Sequence, residues 1–287
     1  MVRKVLIAAI MLPAIMWLHG ETKTDFTETR YGIEMVYVEG GTFMMGCLPQ
    51  ENCSFLSPKP RNETVNSFYI GKYEVTQGQW ADVMETDVRQ YLYNARDGLP
   101  TYYSEGADYP MQYISWYDAV EFCNRLSERT GRKPAYNIDK TRKDPVNRAN
   151  FDDKKWIVTL IPDANGYRLP MEAEWEYAAR GGNKSRGYIY SGSNDIDEVA
   201  WYAGNWRSMN HPVGVKKANE LGIHDMTGSV RERVFEWEDG GRFYRIGLTR
   251  VLRGSSWSAN MELSSISKSG GGGTGRDIGF RLALSSK

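Results

Sequence analysis

Between Arg250 and Arg281 the chain joins two kinds of sequence, and that contrast constrains the fold more than any other stretch. Arg250-Val251-Leu252-Arg253-Gly254-Ser255-Ser256-Trp257 reads as a buried strand leading to a large aromatic. Ile278, Phe280 and Leu282 alternate with Gly279 and Arg281 as a second strand. The residues between are SANMELSSISKSGGGGTGRD, dominated by Ser and Gly, with four consecutive glycines from Gly270 to Gly273. Composition allows two readings: a polar surface loop, or a displayed binding surface whose outward side chains are free to change because strands hold its ends.

At 287 residues the chain can bury a full core, as one large domain or two small ones. Its 36 basic and 36 acidic residues balance, and no block of like charge appears, which argues against nucleic acid as a partner. Nine Trp and eighteen Tyr suit a loop-rich domain with amphipathic rings in its core and at its surface.

Residues 1–20 read as an export signal. Arg3 and Lys4 precede an apolar run from Val5 to Leu18, short for a membrane span. The alternative is an uncleaved anchor, the one route to a membrane. Leu18-His19-Gly20 resembles the approach to a lipoprotein cleavage site, but Glu21 stands where the lipidated Cys belongs. Residues 21–32 read as a polar tether, so the expected location is the cell surface or outer membrane, otherwise the periplasm or the medium. In such an oxidising space Cys47 and Cys53 are expected to pair, stabilising by roughly 2 kcal/mol. Cys123 falls on the apolar face of a helix and reads as a buried thiol.

The remaining pattern predicts few helices and many short strands. Met35–Val38 and Thr42–Gly46 read as a hairpin turning at Gly40-Gly41. Phe68–Ile70, Tyr73–Val75 and Trp156–Leu160 read as strands, and residues 94–108 and 140–150 as loops. Thr76 caps a helix from Gln77 to Met84, and Ser115 caps one that Gly131 ends. Pro170 starts a helix that Gly181-Gly182 stops. The sum is an α+β class.

Several of these stretches resemble motifs of the formylglycine-generating-enzyme family: Gly40–Gly46, Tyr73-Glu74-Val75-Thr76-Gln77-Gly78-Gln79-Trp80, Ile114–Ala119, Tyr167–Gly182 and Gly279-Phe280-Arg281-Leu282. The resemblance runs from about residue 33 to residue 287. It implies one domain with a loop-decorated C-type lectin fold. The family's oxidising members bind copper through a cysteine pair in the segment after the strand at 250–253. Residues 254–276 hold no Cys here, so that thiolate site cannot be assembled. Related iron enzymes need several histidines, and beyond His19 this chain has only His211 and His224. A formylglycine-type oxidase, or a related sulfur-chemistry enzyme, with a divergent site is the competing reading.

Gly222–Arg233 departs from the family pattern in a second way. Ser229 stands where the family has Asn, and Arg231 and Arg233 stand where it has Trp. In relatives this turn helps hold calcium, and Glu232 remains as a ligand for a hard cation. The preferred reading is that Glu232 pairs with a flanking arginine.

Within the same fold, the variable proteins of diversity-generating retroelements carry a C-terminal segment rewritten at template adenines, scattering Asn codons to Ser, Gly, Asp and Thr. The segment at about 255–277 resembles theirs. The resemblance implies a non-catalytic protein that binds a protein or cell-surface ligand. Its leading positions are Ser258, Asn260, Ser264, Ser267, Ser269, Gly270, Gly271, Gly272 and Gly273. Trp201, Tyr202, Trp206, Phe243 and Tyr244 are candidate aromatics to frame the face, each with an alternative place in the core.

Overall fold

The computed structural model describes residues 23–51, 58–92, 104–150, 152, 154–206, 210–237, 247–259, 269–271 and 274–286. The export signal, Cys53, Asn260, Ser264, Ser267, Gly272, Gly273, Phe243 and Tyr244 lie outside the described residues.

In chain order the strands begin with β1 (Phe26–Glu28), β2 (Ile33–Val38), β3 (Gly41–Met45), β4 (Arg61–Val65) and β5 (Phe68–Gly71). Then come helices α1 (Gln77–Met84), α2 (Val88–Leu92) and α3 (Trp116–Arg129), strands β6 (Tyr136–Lys143) and β7 (Trp156–Leu160), and helices α4 (Glu172–Ala179) and α5 (Ile196–Val199). The chain closes with β8 (Arg231–Trp237), β9 (Arg250–Arg253), β10 (Ser269–Gly271), β11 (Ile278–Phe280) and β12 (Ala283–Ser285). Two four-stranded sheets carry the architecture, in the orders β1-β2-β5-β12 and β10-β9-β8-β11, with two separate strand pairs, β3-β4 and β6-β7. The result is α+β, loop-rich and lectin-like. Among the described residues the strand pairings are antiparallel except that of β11 with β8.

The helices begin where local chemistry places them. Thr76 Oγ1 accepts the Gln79 N–H at 3.2 Å while the Gln79 side chain accepts the Thr76 N–H at 3.1 Å, a reciprocal capping box. Ser115 and Asp118 repeat it at α3, whose buried face carries Ala119, Phe122, Cys123 and Leu126. Cys123 is a free thiol, and burial pushes its pKa up. Helix α4 ends as glycines allow, with Gly181 and Gly182 at φ +86° and +55°.

Strand pairing departs from the local reading. β2 and β3 do not form a hairpin: β2 pairs with β1 and β5, and β3 with β4. A Cβ on Gly40 would lie 2.6 Å from the Val65 carbonyl oxygen, so Gly40 serves the passage of one strand pair past another. Tyr73–Val75 is not a strand, although Val75 bonds both Phe280 and Met111 through its main chain. Part of the expected loop at 140–150 extends β6. The expected tether at 21–32 contains β1, so the fold takes in these residues.

Two buried clusters fill the interior. One packs Trp80, Phe122 and Phe280 between α1, α3 and β11, with Trp80 stacked on Phe122 at 5.3 Å. The other sets Trp175 and Ala178 of α4 against Ile70, Val234 and Val251. Between them lies a polar hub. Arg281, fully buried, donates from Nε and a terminal nitrogen to Glu232 at 2.6 Å each, and to the carbonyls of Gly71 and His224 at 2.9 Å. Trp175 Nε1 adds a bond to Glu232 Oε2 at 2.7 Å. Arg281 is therefore not the outward residue of an alternating strand. Glu232 does not pair with a flanking arginine: Arg231 goes to Asp277 and Arg233 to the Ile114 carbonyl. The two residues beside Glu232 point to the opposite face of β8, while Arg281 reaches it from the neighbouring chain end.

Candidate binding face

The second sheet delivers both ends of the segment at about 255–277 to one place. β9 enters, β11 leaves beside β8, and Asp277 ties the two ends together. Its Oδ2 accepts from Ser256 Oγ at 2.8 Å and Ser258 Oγ at 3.1 Å, and its Oδ1 accepts from Arg231 at 2.8 Å. Ser256 is buried and Ser258 exposed. Of the expected variable positions, Ser258 thus presents a hydroxyl at the surface but spends a hydrogen bond on Asp277. Ser269, Gly270 and Gly271 are β10, paired with Leu252, Val251 and Arg250. This part of the glycine run is an element of the sheet. Glycine permits it because a strand demands no particular side chain from its backbone bonds.

Of the expected framing aromatics, Trp201, Tyr202 and Trp206 lie among the described residues, close to Trp257. Ser229 links them: its N–H reaches the Trp201 carbonyl at 2.9 Å and its own carbonyl accepts the Trp257 N–H at 2.7 Å. Gly228 makes the approach sterically open, since a Cβ there would lie 2.3 Å from the Trp201 oxygen. Ser229 sits at φ +55°, a conformation that the family's Asn tolerates better than Ser. It is held there by Glu74, whose Oε2 accepts the Ser229 hydroxyl at 3.0 Å and whose Oε1 accepts the Val230 N–H at 3.1 Å. Burial, and then the charge of Asp225, push the Glu74 pKa well up, so this carboxyl favours its proton.

Trp201 stacks on His211 at 3.6 Å, with the Lys216 ammonium 4.1 Å from its ring centroid. Trp206 packs against Trp257 at 4.4 Å, and the Arg276 guanidinium lies 5.2 Å over Trp257. Ala203 N–H bonds the Ala259 carbonyl at 3.1 Å, joining the 202–206 turn to the start of the segment. Trp257 is 3% exposed, whereas Trp201, Tyr202 and Trp206 are half-buried. Trp201 carries His211 and Lys216 against its ring, and Trp206 carries Trp257. Sequence reasoning missed His211, Lys216, Arg276 and Asp277. Their roles come from segments far apart in the chain, and a lone His before Pro carries no local signal.

His224 Nδ1 is 2.8 Å from the Lys216 carbonyl and its ring packs on Tyr73, a structural role. Both oxygens of Glu232 face Arg281, so this residue is not disposed toward a calcium ion. Among the described residues no group of three His, Cys, Asp or Glu could hold a metal ion. Cys47 is disulfide-bonded and Cys123 is free.

A lectin-like scaffold with this segment, these strand-end motifs and no thiolates in residues 254–276 defines a formylglycine-generating-enzyme-type domain without the oxidase's cysteine pair. The chain belongs to the family of the sulfatase-modifying factor enzyme 1-like domain, whose model matches residues 22–286. It is 41% identical over 272 residues to the chaperone protein LppX of Paenibacillus barcinonensis, covering 88% of this chain and 89% of that one. It is 26% identical over 242 residues to the inactive C-alpha-formylglycine-generating enzyme 2 of Bos taurus, covering 78% and 76%. Among solved structures it is similar to Treponema denticola variable protein 1, with a TM-score of 0.73 and 27% identity over 92% of this chain and 99% of that one.

Proposed function

We propose that this chain is an exported, non-catalytic binding protein whose partner is another protein, and that the face around Trp206, Trp257 and Ser258 receives it. The observation that carries this reading is the clasp at Asp277. The ends of the segment are fixed by the sheet and by a buried carboxylate, so residues between them can change without disturbing the two core clusters. Aromatic walls supply contact area at low entropic cost, and small polar residues adapt to the ligand. The finer proposal is that retroelement mutagenesis diversifies the segment, with Ser258 and the Gly270–Gly273 run among the varied positions. The likeness to the variable protein and the Ser/Gly identities support it. Sequencing downstream of the gene tests it: a near-copy of the final coding segment differing at adenines, beside a reverse-transcriptase gene, is expected. Its absence from the genome overturns the diversification.

A second reading has its own support. The relative named a chaperone is alike over nearly its whole length, which favours a fixed client over a diversified ligand. Refolding of proteins encoded beside this gene, with and without the purified chain, separates the two. A catalytic excess of refolded client for one neighbour alone selects the chaperone reading; selection of binders from a library randomised over the segment selects the other.

A further inference from the structure

The outer edge of β12 is only half used. The main-chain N–H and C=O of Ala283 both bond Arg168, at 2.7 and 2.9 Å. Those of Leu284 therefore face Tyr69 of β5, and those of Ser285 return to the outer edge beside Ala283. Continuing the antiparallel register of Arg168 with Ala283 would set Gly166 opposite Ser285. Gly166 does not take that rung. It packs on Ser127 and Lys133 instead, where an added Cβ would lie 2.6 Å from Ser127 Oγ and 2.4 Å from the Lys133 carbonyl oxygen. Ser285 is exposed, and among the described residues no main-chain group bonds it across this edge.

Ser285 and Gly166 both line a cleft of about 660 Å³, within the size range of ligand sites. A second strand edge reaches it. Ile161 N–H bonds the Ala135 carbonyl, so Leu160, one residue back in β7, turns its own N–H and C=O away from β6. Leu160 is 38% exposed and lines the same cleft, with Ala164 and Met171. The charges of the lining cancel: its cations are Lys23 and Arg168, its anions Asp163 and Glu174. Arg168 holds Glu174 through two bonds of 2.7 Å and gives its Nε to Ser285 Oγ at 3.3 Å. Lys23 Nζ donates to Ser286 Oγ at 2.6 Å. Just outside, Asp25 accepts the Tyr37 N–H and Lys133 Nζ donates to the Pro162 carbonyl. Open strand edges in a charge-balanced cleft suit a chain recognised by its backbone rather than by its charge.

We infer that this cleft takes an uncharged, extended segment of a partner polypeptide, which adds to the edge of β12 at Ser285. The site lies on the other four-stranded sheet from the face around Trp206 and Trp257, so it goes beyond that reading and fails separately from it. The probe is a capped neutral pentapeptide, acetyl-Thr-Val-Thr-Val-Thr-amide, titrated into the full chain by calorimetry. Two analogues accompany it, one N-methylated at both valines and one at the central threonine. An added strand bonds through alternate residues, so the parent peptide should bind and one analogue should bind about tenfold or more weakly. Ser285→Pro removes the outward N–H and leaves the bonds to β5, a place where an edge strand tolerates proline. It should weaken the peptide by about tenfold or more, while Ser285→Ala, with its main chain intact, should bind as the parent does. Should Ser285→Pro melt early, the two analogues still decide. No binding of the parent peptide, equal binding of both analogues, or an equal loss in Ser285→Ala and Ser285→Pro overturns the strand addition. A dimer that Ser285→Pro dissociates gives the edge to a second copy, and binding seen only after deletion of residues 1–22 gives it to this chain's own N-terminal end; either overturns the partner segment. Trp206→Ala should leave peptide binding unchanged, and a loss there would place the peptide on the other face and overturn this site.

Discussion

Arg281 and Arg276 lie close in sequence and do opposite things. Arg281 is buried, and its donors reach Glu232, Gly71 and His224. Arg276 is exposed, lies against Trp257, and has no carboxylate opposite it among the described residues. The hub around the first is saturated and joins helix α4, β8, the end of β5 at Gly71 and the turn at His224 to Arg281. Near the second, the indole N–H groups of Trp201 and Trp257 and Nε of Arg231 are buried without a hydrogen-bond partner. One short stretch of chain therefore passes from a saturated interior to an exposed guanidinium within the length of β11.

The contrast breaks most sharply at Arg281. Arg281→Ala leaves Glu232 without its ion-pair partner in a sealed site and is expected to cost about 3–5 kcal/mol in urea melts. Phe280→Ala should cost a similar amount through the cavity it opens against Trp80 and Phe122. A loss below about 1 kcal/mol in either variant would mean that the hub tolerates vacancy and that the contrast is false.

The disulfide comes next. Alkylation under denaturing, non-reducing conditions should label Cys123 alone, and Cys47→Ser should cost roughly 2 kcal/mol. Three labelled cysteines would show that Cys47 and Cys53 are unpaired.

A third measurement uses pH. Burial pushes Glu236, which accepts the Glu172 N–H at 2.9 Å at the start of α4, up to about 7. An acid whose folded pKa lies above its unfolded value of about 4.5 binds its proton more tightly when folded. Its contribution is full below the unfolded value and is lost as pH rises through about 7. Melts at pH 5 and pH 8 should show a smaller difference for Glu236→Gln than for the parent. An identical difference would show that this carboxyl does not feel its burial.

The smallest effect belongs to the face. Arg276→Gln should alter stability by no more than about 0.5 kcal/mol, since the side chain is exposed. A destabilisation comparable to that of Arg281→Ala would place Arg276 in the architecture after all.

The local layer of this molecule was legible. Thr76, Ser115 and Gly181-Gly182 mark helix boundaries because caps and left-handed stops act within one turn of chain. Cys123 was legible as a buried thiol because the helical period sets its face. The pairing of strands was not. β2 and β3 looked like a hairpin because Gly40-Gly41 supplies turn chemistry, yet what decides the partner is the approach of β4 and β5, which a local window does not contain. The partner of Glu232 was misread for the same reason: adjacent arginines are near in sequence but lie on the other side of the pleat. For the candidate face, the strands flanking the segment and the aromatics Trp201 and Trp206 were legible from composition and irregular pattern. Asp277 and Arg276 were not, since an Arg-Asp pair beside glycines reads as ordinary surface charge until β8 and Trp257 are set against it.

The bond set at Asp277 has a bearing on evolution by insertion and deletion. Because Ser256 and Ser258 meet the residue that opens β11, the chain between them begins and ends at one point whatever its length. Closing a longer stretch across fixed ends costs little, about 0.6 kcal/mol for each doubling. Genes of this kind can therefore drift in segment length as readily as in segment sequence, and related proteins are expected to differ in size here while keeping the Asp, the paired serines and the terminal strand in register.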